Sequence, residues 1–478
     1  MSTPARAANA AAVLRAVLLH GPVPRSRLAE LSGLSPATVT RLYPPLAERR
    51  LLRELEGPEV GQTVGRPRVP VDLDASGWVA LGVHLGARRS VFGLLDLRGR
   101  LLGAGEVEHE DGAGPEAVIG QACDGLRALH ARVAGRRRVL GLGVIAGGRV
   151  DAETGLLSEQ PGLGWPEVDL GAEFARRIDF GPGSAIALGS GLSSGLSSGF
   201  GPGLAVPSGF ASANVLATAN GLANATANGS SSGPATAGTT ATASTATLAI
   251  ASAPTAPTTP TTPTTMPIFV DEHVRAMATA ESLFGRARRA RSLGYLYVGD
   301  VLGFAYSVDG AVHRGSRAAA GEIEHLPLGV TPPADAAPCS CGARDCFLAL
   351  AGEQGVAERA ADLGVVPEPH IDLVLKAARA GDERAVRLLR DRARNIGAAV
   401  AVLLGILDPE LFVVAGRGLT EAAEHLSDLR AGTRERLRGA LPVPIVPTAF
   451  GAQVDAVAAA SVVIDRIVRD PLAVRVPR

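Results

Sequence analysis

One imidazole and three thiols, at His325, Cys339, Cys341 and Cys346, are the residues in this chain whose types and spacing most plainly could do chemistry. Three of the four cysteines fall within eight residues, in Cys339-Ser340-Cys341-Gly342-Ala343-Arg344-Asp345-Cys346. A zinc ion takes about four N/S ligands in a closed tetrahedron, and a short Cys-x-Cys-x4-Cys run with a glycine inside it lets a tight loop wrap the ion. The spacing therefore predicts one Zn2+ held by His325, Cys339, Cys341 and Cys346, and leaves Cys123 as a core residue.

The elements that must position such a loop belong to a long chain. At 478 residues it exceeds one ordinary core, which predicts two or three domains. Its 47 basic and 47 acidic residues cancel, so overall charge argues for no particular partner. The distribution is uneven: Met1 to Pro70 carries ten Arg against five Glu, a local balance of +5, which marks the amino-terminal end as the place for DNA. No signal-peptide pattern and no run of about 18 apolar residues is present, which predicts a soluble, cytoplasmic protein with no membrane partner.

Within that basic segment, Asn9 to His20 has helical apolar spacing and stops at Gly21-Pro22, and Arg25 to Leu31 forms a second short helix ending at Ser32-Gly33. A third begins cleanly, with Ser35 as cap and Pro36 at the first helical position. With Val39 and Leu42 inward, Thr38, Thr40 and Arg41 face outward, where hydroxyl and guanidinium groups suit phosphates and base edges. Arg27, Ser35, Thr38, Thr40, Arg41 and Arg66 are the candidate DNA contacts; a helical packing module is the alternative reading. Pro44-Pro45 predicts that the third helix ends at Leu42 or Tyr43. Two strands, Leu51 to Leu55 and Val69 to Leu73, flank Gly65-Arg66-Pro67.

Gly321-Glu322-Ile323-Glu324-His325 followed by Cys-x-Cys-Gly-x-x-x-Cys resembles the signature of the ROK family (repressors, open reading frames and sugar kinases), and the chain is similar to its xylose- and N-acetylglucosamine-type repressors. The resemblance implies an α/β protein in which a winged helix-turn-helix (residues 1–76) precedes a two-lobed actin/hexokinase-like, ribonuclease H-like domain, its first lobe at 77–180 and the remainder, with the zinc motif, at 267–478. It also implies that Arg66, at the wing tip, enters a minor groove.

Against the kinases of that family, the motifs that serve ATP are altered. In the first phosphate loop His84 stands for the magnesium-handling acid, Ala87 for a glycine and Arg88-Arg89 for Thr-Lys; in the second, Val301 replaces the middle glycine. His273 occupies the position of the aspartate that takes the sugar proton, and Glu272 that of an asparagine. The family's later glutamate is Leu348, and Glu324 replaces a glycine. No catalytic residue is therefore assigned, and Glu272, His273, Glu322 and His325 are the candidate effector contacts, with His325 bridging zinc and a sugar hydroxyl.

From Phe180 to Val270 there is no Asp, Glu, Lys or Arg in 91 residues, a composition that predicts a flexible insertion at 181–266. Amphipathic helices between Asp372 and Ile406 offer Leu373, Val374, Leu388, Leu389, Ile396, Val400, Val402 and Leu403 as core or dimer candidates. The whole predicts a sequence-specific transcriptional regulator, most simply a repressor of carbohydrate genes, that binds operator DNA and a sugar effector as a homodimer or tetramer. A sugar kinase with a fused DNA-binding domain is the alternative, and a ligand-independent DNA-binding protein a third.

Overall fold

The computed structural model describes residues 4–55, 69–110, 112–160, 164–178, 266–299, 301–333, 336–419, 423–437 and 443–474. The predicted insertion at 181–266 lies outside them except for Met266, as do Arg66 and the rest of the predicted wing tip.

The amino-terminal unit comprises α1 (Pro4–His20), β1 (Val23–Pro24), α2 (Arg25–Ser32), α3 (Pro36–Glu48), β2 (Leu52–Glu54) and β3 (Pro70–Leu73). The three strands form an antiparallel sheet of order β1-β3-β2, so a winged helix-turn-helix is built as predicted. Gly33 closes α2 at φ 69°, and the Ser35 hydroxyl accepts the Thr38 N–H at 3.2 Å to open α3. The predicted end of α3 at Leu42 or Tyr43 is corrected: the helix continues through Pro44 and Pro45 to Glu48. Each interior proline costs about 3 kcal/mol. Against that, Leu46, Leu51 and Leu52 are at most 2% exposed, and each such burial stabilises by about 1.5–3 kcal/mol. Ending the helix early would withdraw Leu46 from the core it shares with Val13 and Val17 of α1.

The next segment runs β4 (Trp78–Leu85), β5 (Arg89–Leu95), β6 (Leu101–Glu108), α4 (Pro115–Val133), β7 (Arg138–Ala146), β8 (Arg149–Asp151), β9 (Leu156–Glu159), β10 (Val168–Asp169), α5 (Leu170–Arg177), β11 (Ile268–Glu272) and α6 (His273–Leu283). It is followed by β12 (Ser292–Val298), β13 (Leu302–Val308), β14 (Ala311–Val312), α7 (Phe347–Ala351), α8 (Glu353–Asp362), α9 (Ile371–Arg379), α10 (Glu383–Leu407), β15 (Leu411–Ala415), α11 (Ala423–Arg436), β16 (Ile445–Pro447) and α12 (Val454–Arg469). Two five-stranded sheets result, β11-β7-β4-β5-β6 and β14-β13-β12-β15-β16, while β8, β9 and β10 form a small meander.

The two large sheets repeat one plan. In each, the first strand lies at the centre, continued as an antiparallel meander of two further strands on one side and by two parallel strands on the other. Helices α6 and α12 pack on each other, α12 against β4, β5 and β7 and α6 against β12 and β13. The approach of α12 demands missing side chains: a Cβ on Gly143 would lie 1.9 Å from the Ala459 carbonyl oxygen, and one on Gly82 2.3 Å from the Ala460 nitrogen.

In α9 and α10, Val374, Leu388, Leu389, Ile396, Val400 and Leu403 are buried as expected of core positions, but Val402 is exposed, beside an exposed Ile406 one turn on. Leu373 is half-buried. Among the described residues no helix is long and apolar enough to cross a membrane.

Candidate functional site

Three sites carry the chemistry. The first is the metal loop. The ligating atoms of His325, Cys339, Cys341 and Cys346 all lie within 4.8 Å of one another. Cys339 Sγ is 3.6 Å from His325 Nδ1, and Cys341 Sγ is 3.8 Å from Cys346 Sγ. Zn–N and Zn–S bonds of about 2.1 and 2.3 Å set tetrahedral edges of about 3.6 and 3.8 Å, so this donor set fits Zn2+. The loop is made by Gly342, whose φ of 84° allows its N–H to reach the Cys339 carbonyl at 2.7 Å while Cys339 N–H reaches Ala343 at 2.8 Å. Burial, with the neighbouring thiols adding to it, raises the Cys346 thiol to about 11. Burial opposes, but the Cys341 N–H and the Ser340 hydroxyl overcome it, in holding Cys339 near 7. Three thiols crowded in this way favour a bound cation.

The second site is a cleft of about 930 Å3. Its walls bring together His84 at the end of β4, His273 at the start of α6, Tyr297 on β12 and Asp455 on the first turn of α12. His84 Nδ1 faces Asp455 Oδ1 at 3.5 Å. The His273 ring meets those of His84 and Tyr297 edge-on, with centroids at 5.6 and 5.2 Å. Only 3% of His273 is exposed, and among the described residues neither ring nitrogen has a hydrogen-bond partner; Glu272 Oε1, 3.6 Å from Nδ1, is too distant. Burial, helped by the His84 ring, drops its pKa to about 3, so the ring is neutral and offers one donor and one acceptor.

Of the four effector candidates, only His273 lines this cleft. Glu272 uses both oxygens as the α6 N-cap, accepting from Val274 N–H at 2.8 Å and Arg275 N–H at 2.9 Å. Burial raises its pKa to about 6. Glu322 makes a two-point pair with Arg149, both contacts at 3.1 Å, and His325 turns Nδ1 to the thiols. Glu322 and His325 thus lie outside the walls of this cleft, Glu322 held by Arg149 and His325 by the thiols. The chain on either side of His273 is anchored by buried ion pairs: Asp271 and Arg275 pair at 3.0 Å, Arg314 reaches the same carboxylate at 2.8 and 2.6 Å, and Arg275 bonds the Val150 carbonyl. Despite complete burial, Arg314 and Arg275 hold Asp271 near pKa 2.

Asp455 and Tyr297 were missed by sequence reasoning. Asp455 had a signal, the one charged residue in the run Val454 to Ile464, but nothing in the sequence connects it to His84.

The third site is the outer face of α3. Thr40 and Arg41 are exposed and Thr38 is half-buried; the Thr40 hydroxyl bonds back to the Pro36 carbonyl at 2.9 Å, and Arg41 reaches Thr38 Oγ1 at 3.5 Å. Ser35 is engaged as the cap, Arg27 pairs with Glu30, and Arg25 lies over Tyr43 at 3.9 Å.

Comparison with known proteins agrees with this layout. Residues 238–466 match the ROK family model. The transcriptional regulator Rv0485 of Mycobacterium tuberculosis H37Rv is 31% identical over 97% of this chain and 86% of its own. The N-acetylglucosamine repressor of Escherichia coli O6:H1 is 22% identical over 87% of this chain and 82% of its own. A solved ROK family transcriptional regulator, a homologue of the E. coli MLC protein, shares the fold at a TM-score of 0.66 and 20% identity, over 98% of both chains. This chain belongs to the ROK family.

Proposed function

We propose that the protein is a cytoplasmic, sequence-specific transcriptional regulator, most simply a repressor of carbohydrate genes, that grips operator DNA through α3 and senses a sugar or sugar derivative in the cleft. The observation that carries this reading is the open face of α3: Thr40 and Arg41 are exposed and Thr38 half-buried on a helix whose opposite side, Val39, Leu42 and Leu46, is fixed in the core. Such a helix presents short polar groups and a guanidinium to a major groove, while Arg66 serves the adjacent minor groove.

The geometry disfavours kinase chemistry in the same cleft. A general base works best with a pKa near the operating pH, and His273 is held near 3. His84, where a kinase places its magnesium-handling acid, faces the carboxylate of Asp455. A neutral imidazole can both donate and accept, as a hydroxyl-bearing ligand does.

His325, Cys339, Cys341 and Cys346 would hold Zn2+, which supplies structural cross-linking of the loop and no reaction. The protein's own groups do the rest: the loop fixes the chain between Glu322 and Cys346, and Glu322 ties it to Arg149. A homodimer or tetramer accords with paired operator half-sites. The decisive experiment selects genomic fragments on the purified full-length protein and repeats the selection with Arg41→Ala. Enrichment of a common sequence that the variant fails to enrich supports the reading; no enrichment by the wild type refutes it.

A further inference from the structure

Two cleft residues, His273 and Asp455, sit on the first turns of α6 and α12, and both helices end against the amino-terminal unit. At their far ends a second cavity, about 360 Å3, is lined by Ala8, Ala11 and Arg15 of α1, Thr279 and Ser282 of α6, and Val468 of α12. Arg288, just beyond α6, donates to the Leu18 and Leu19 carbonyls of α1 at 2.9 and 3.2 Å. Apolar residues of α1, α6 and α12 form one continuous core. At 1.5 Å per residue, the 11 residues of α6 and 16 of α12 span roughly 16 and 24 Å.

The two helices are also tied to each other. Glu281, fully buried near the end of α6, accepts from the Thr448 hydroxyl at 2.6 Å and the Ala449 N–H at 2.7 Å, in the segment that leads into α12. Its other oxygen takes the Arg286 N–H at 2.7 Å. A displacement at either near end is thus delivered to both far ends, where the cavity beside α1 leaves room for a second packing arrangement.

We propose that α6 and α12 act as a paired rod that carries the state of the cleft to the DNA-binding unit: hydrogen bonds made to His273 and Asp455 reset how the far ends of the two helices pack on α1. The proposal rests on the reading of the cleft as the effector site, and it adds how that site is heard. A cleft wall that does not touch α6 or α12 lacks this route. Asp372 lines the same cleft, but its helix α9 packs on α8 and α10.

Hydrogen exchange on the full-length chain tests this without an identified ligand. Asp455→Asn and His273→Gln alter the near end of one helix each. Each is expected to change exchange in residues 8–18 by about fivefold or more, the lower bound of ordinary coupling, while α10 and α11 stay unchanged. Asp372→Asn, in the same cleft, is expected to leave residues 8–18 as in the wild type. By reciprocity, Ser282→Leu, which fills the far cavity, should alter exchange in residues 84–89 and 453–457. That variant decides the matter if the cleft variants do not fold. Unchanged α1 exchange in folded cleft variants, an equal effect from Asp372→Asn, or a change spread over α10 and α11 overturns the proposal. DNA selection on the same wild-type preparation separates the two readings, since its failure removes the regulator but leaves the exchange result standing.

Discussion

His84 and Asp455 face each other at 3.5 Å across the cleft floor, joining the end of a central strand to the first turn of the final long helix. Burial raises the Asp455 carboxyl, but the His84 ring outweighs it and the net shift is downward, so the acid is ionised at neutral pH. With an imidazole in place of the acid, the end of β4 offers no carboxylate of its own to the magnesium that a nucleotide would bring.

It follows that ATP-dependent phosphorylation of glucose, mannose, xylose or N-acetylglucosamine should be undetectable in a coupled assay. Saturable turnover that His273→Ala abolishes would put the kinase reading first.

Arg41→Ala should weaken operator binding and relax base preference by about 1–3 kcal/mol at the positions it reads. Arg66→Ala should act mainly on A·T-rich flanks. Equal affinity of wild type and double variant in a gel-shift titration would remove both residues from the interface.

Elemental analysis should find one zinc per chain. Cys339→Ser should lower the melting temperature, because metal held only by the folded loop adds its binding energy to folding. A zinc-free protein whose melting temperature is indifferent to that substitution contradicts the ligand set.

Acid should destabilise the protein through His273. Its folded pKa of about 3 lies below the ordinary value of 6.5, so the unfolded chain takes up the proton first. The associated stability is whole above pH 6.5 and is lost as pH falls toward 3, on the order of 3–5 kcal/mol. Glu272, raised to about 6, works in the opposite sense below that pH, and Asp271, held near 2, adds its loss only between about pH 4 and 2. Melting curves should therefore steepen from pH 6.5 to 4 in the wild type and flatten in His273→Gln. Parallel curves would show that the imidazole is not the titrating group.

What the sequence disclosed was what lies close in sequence. Ser35 and Pro36 announce the start of α3, and three cysteines within eight residues announce the metal loop, because caps and tight loops are decided by a handful of neighbours. The end of α3 was misread because the penalty of Pro44-Pro45 is local while the compensating burial of Leu46 against α1 is not. Glu322 was named an effector candidate by motif alone, and its ion-pair partner Arg149, 173 residues away, could not be read there. Asp455 stayed invisible for the same reason: only the fold brings α12 beneath β4.

The continuous core between α1 and α12 has a further consequence for target choice. A reading head mounted on a loose tether tolerates any distance between the two halves of a palindrome. Here Val13 and Val17 are packed with Ile464 and Ile467, so the bearing of α3 is fixed by the body that carries it. In any assembly of two such chains, the permitted half-site separations are then whole turns of the double helix, about 10–10.5 base pairs apart, and an operator lengthened by half a turn presents its second half on the wrong face.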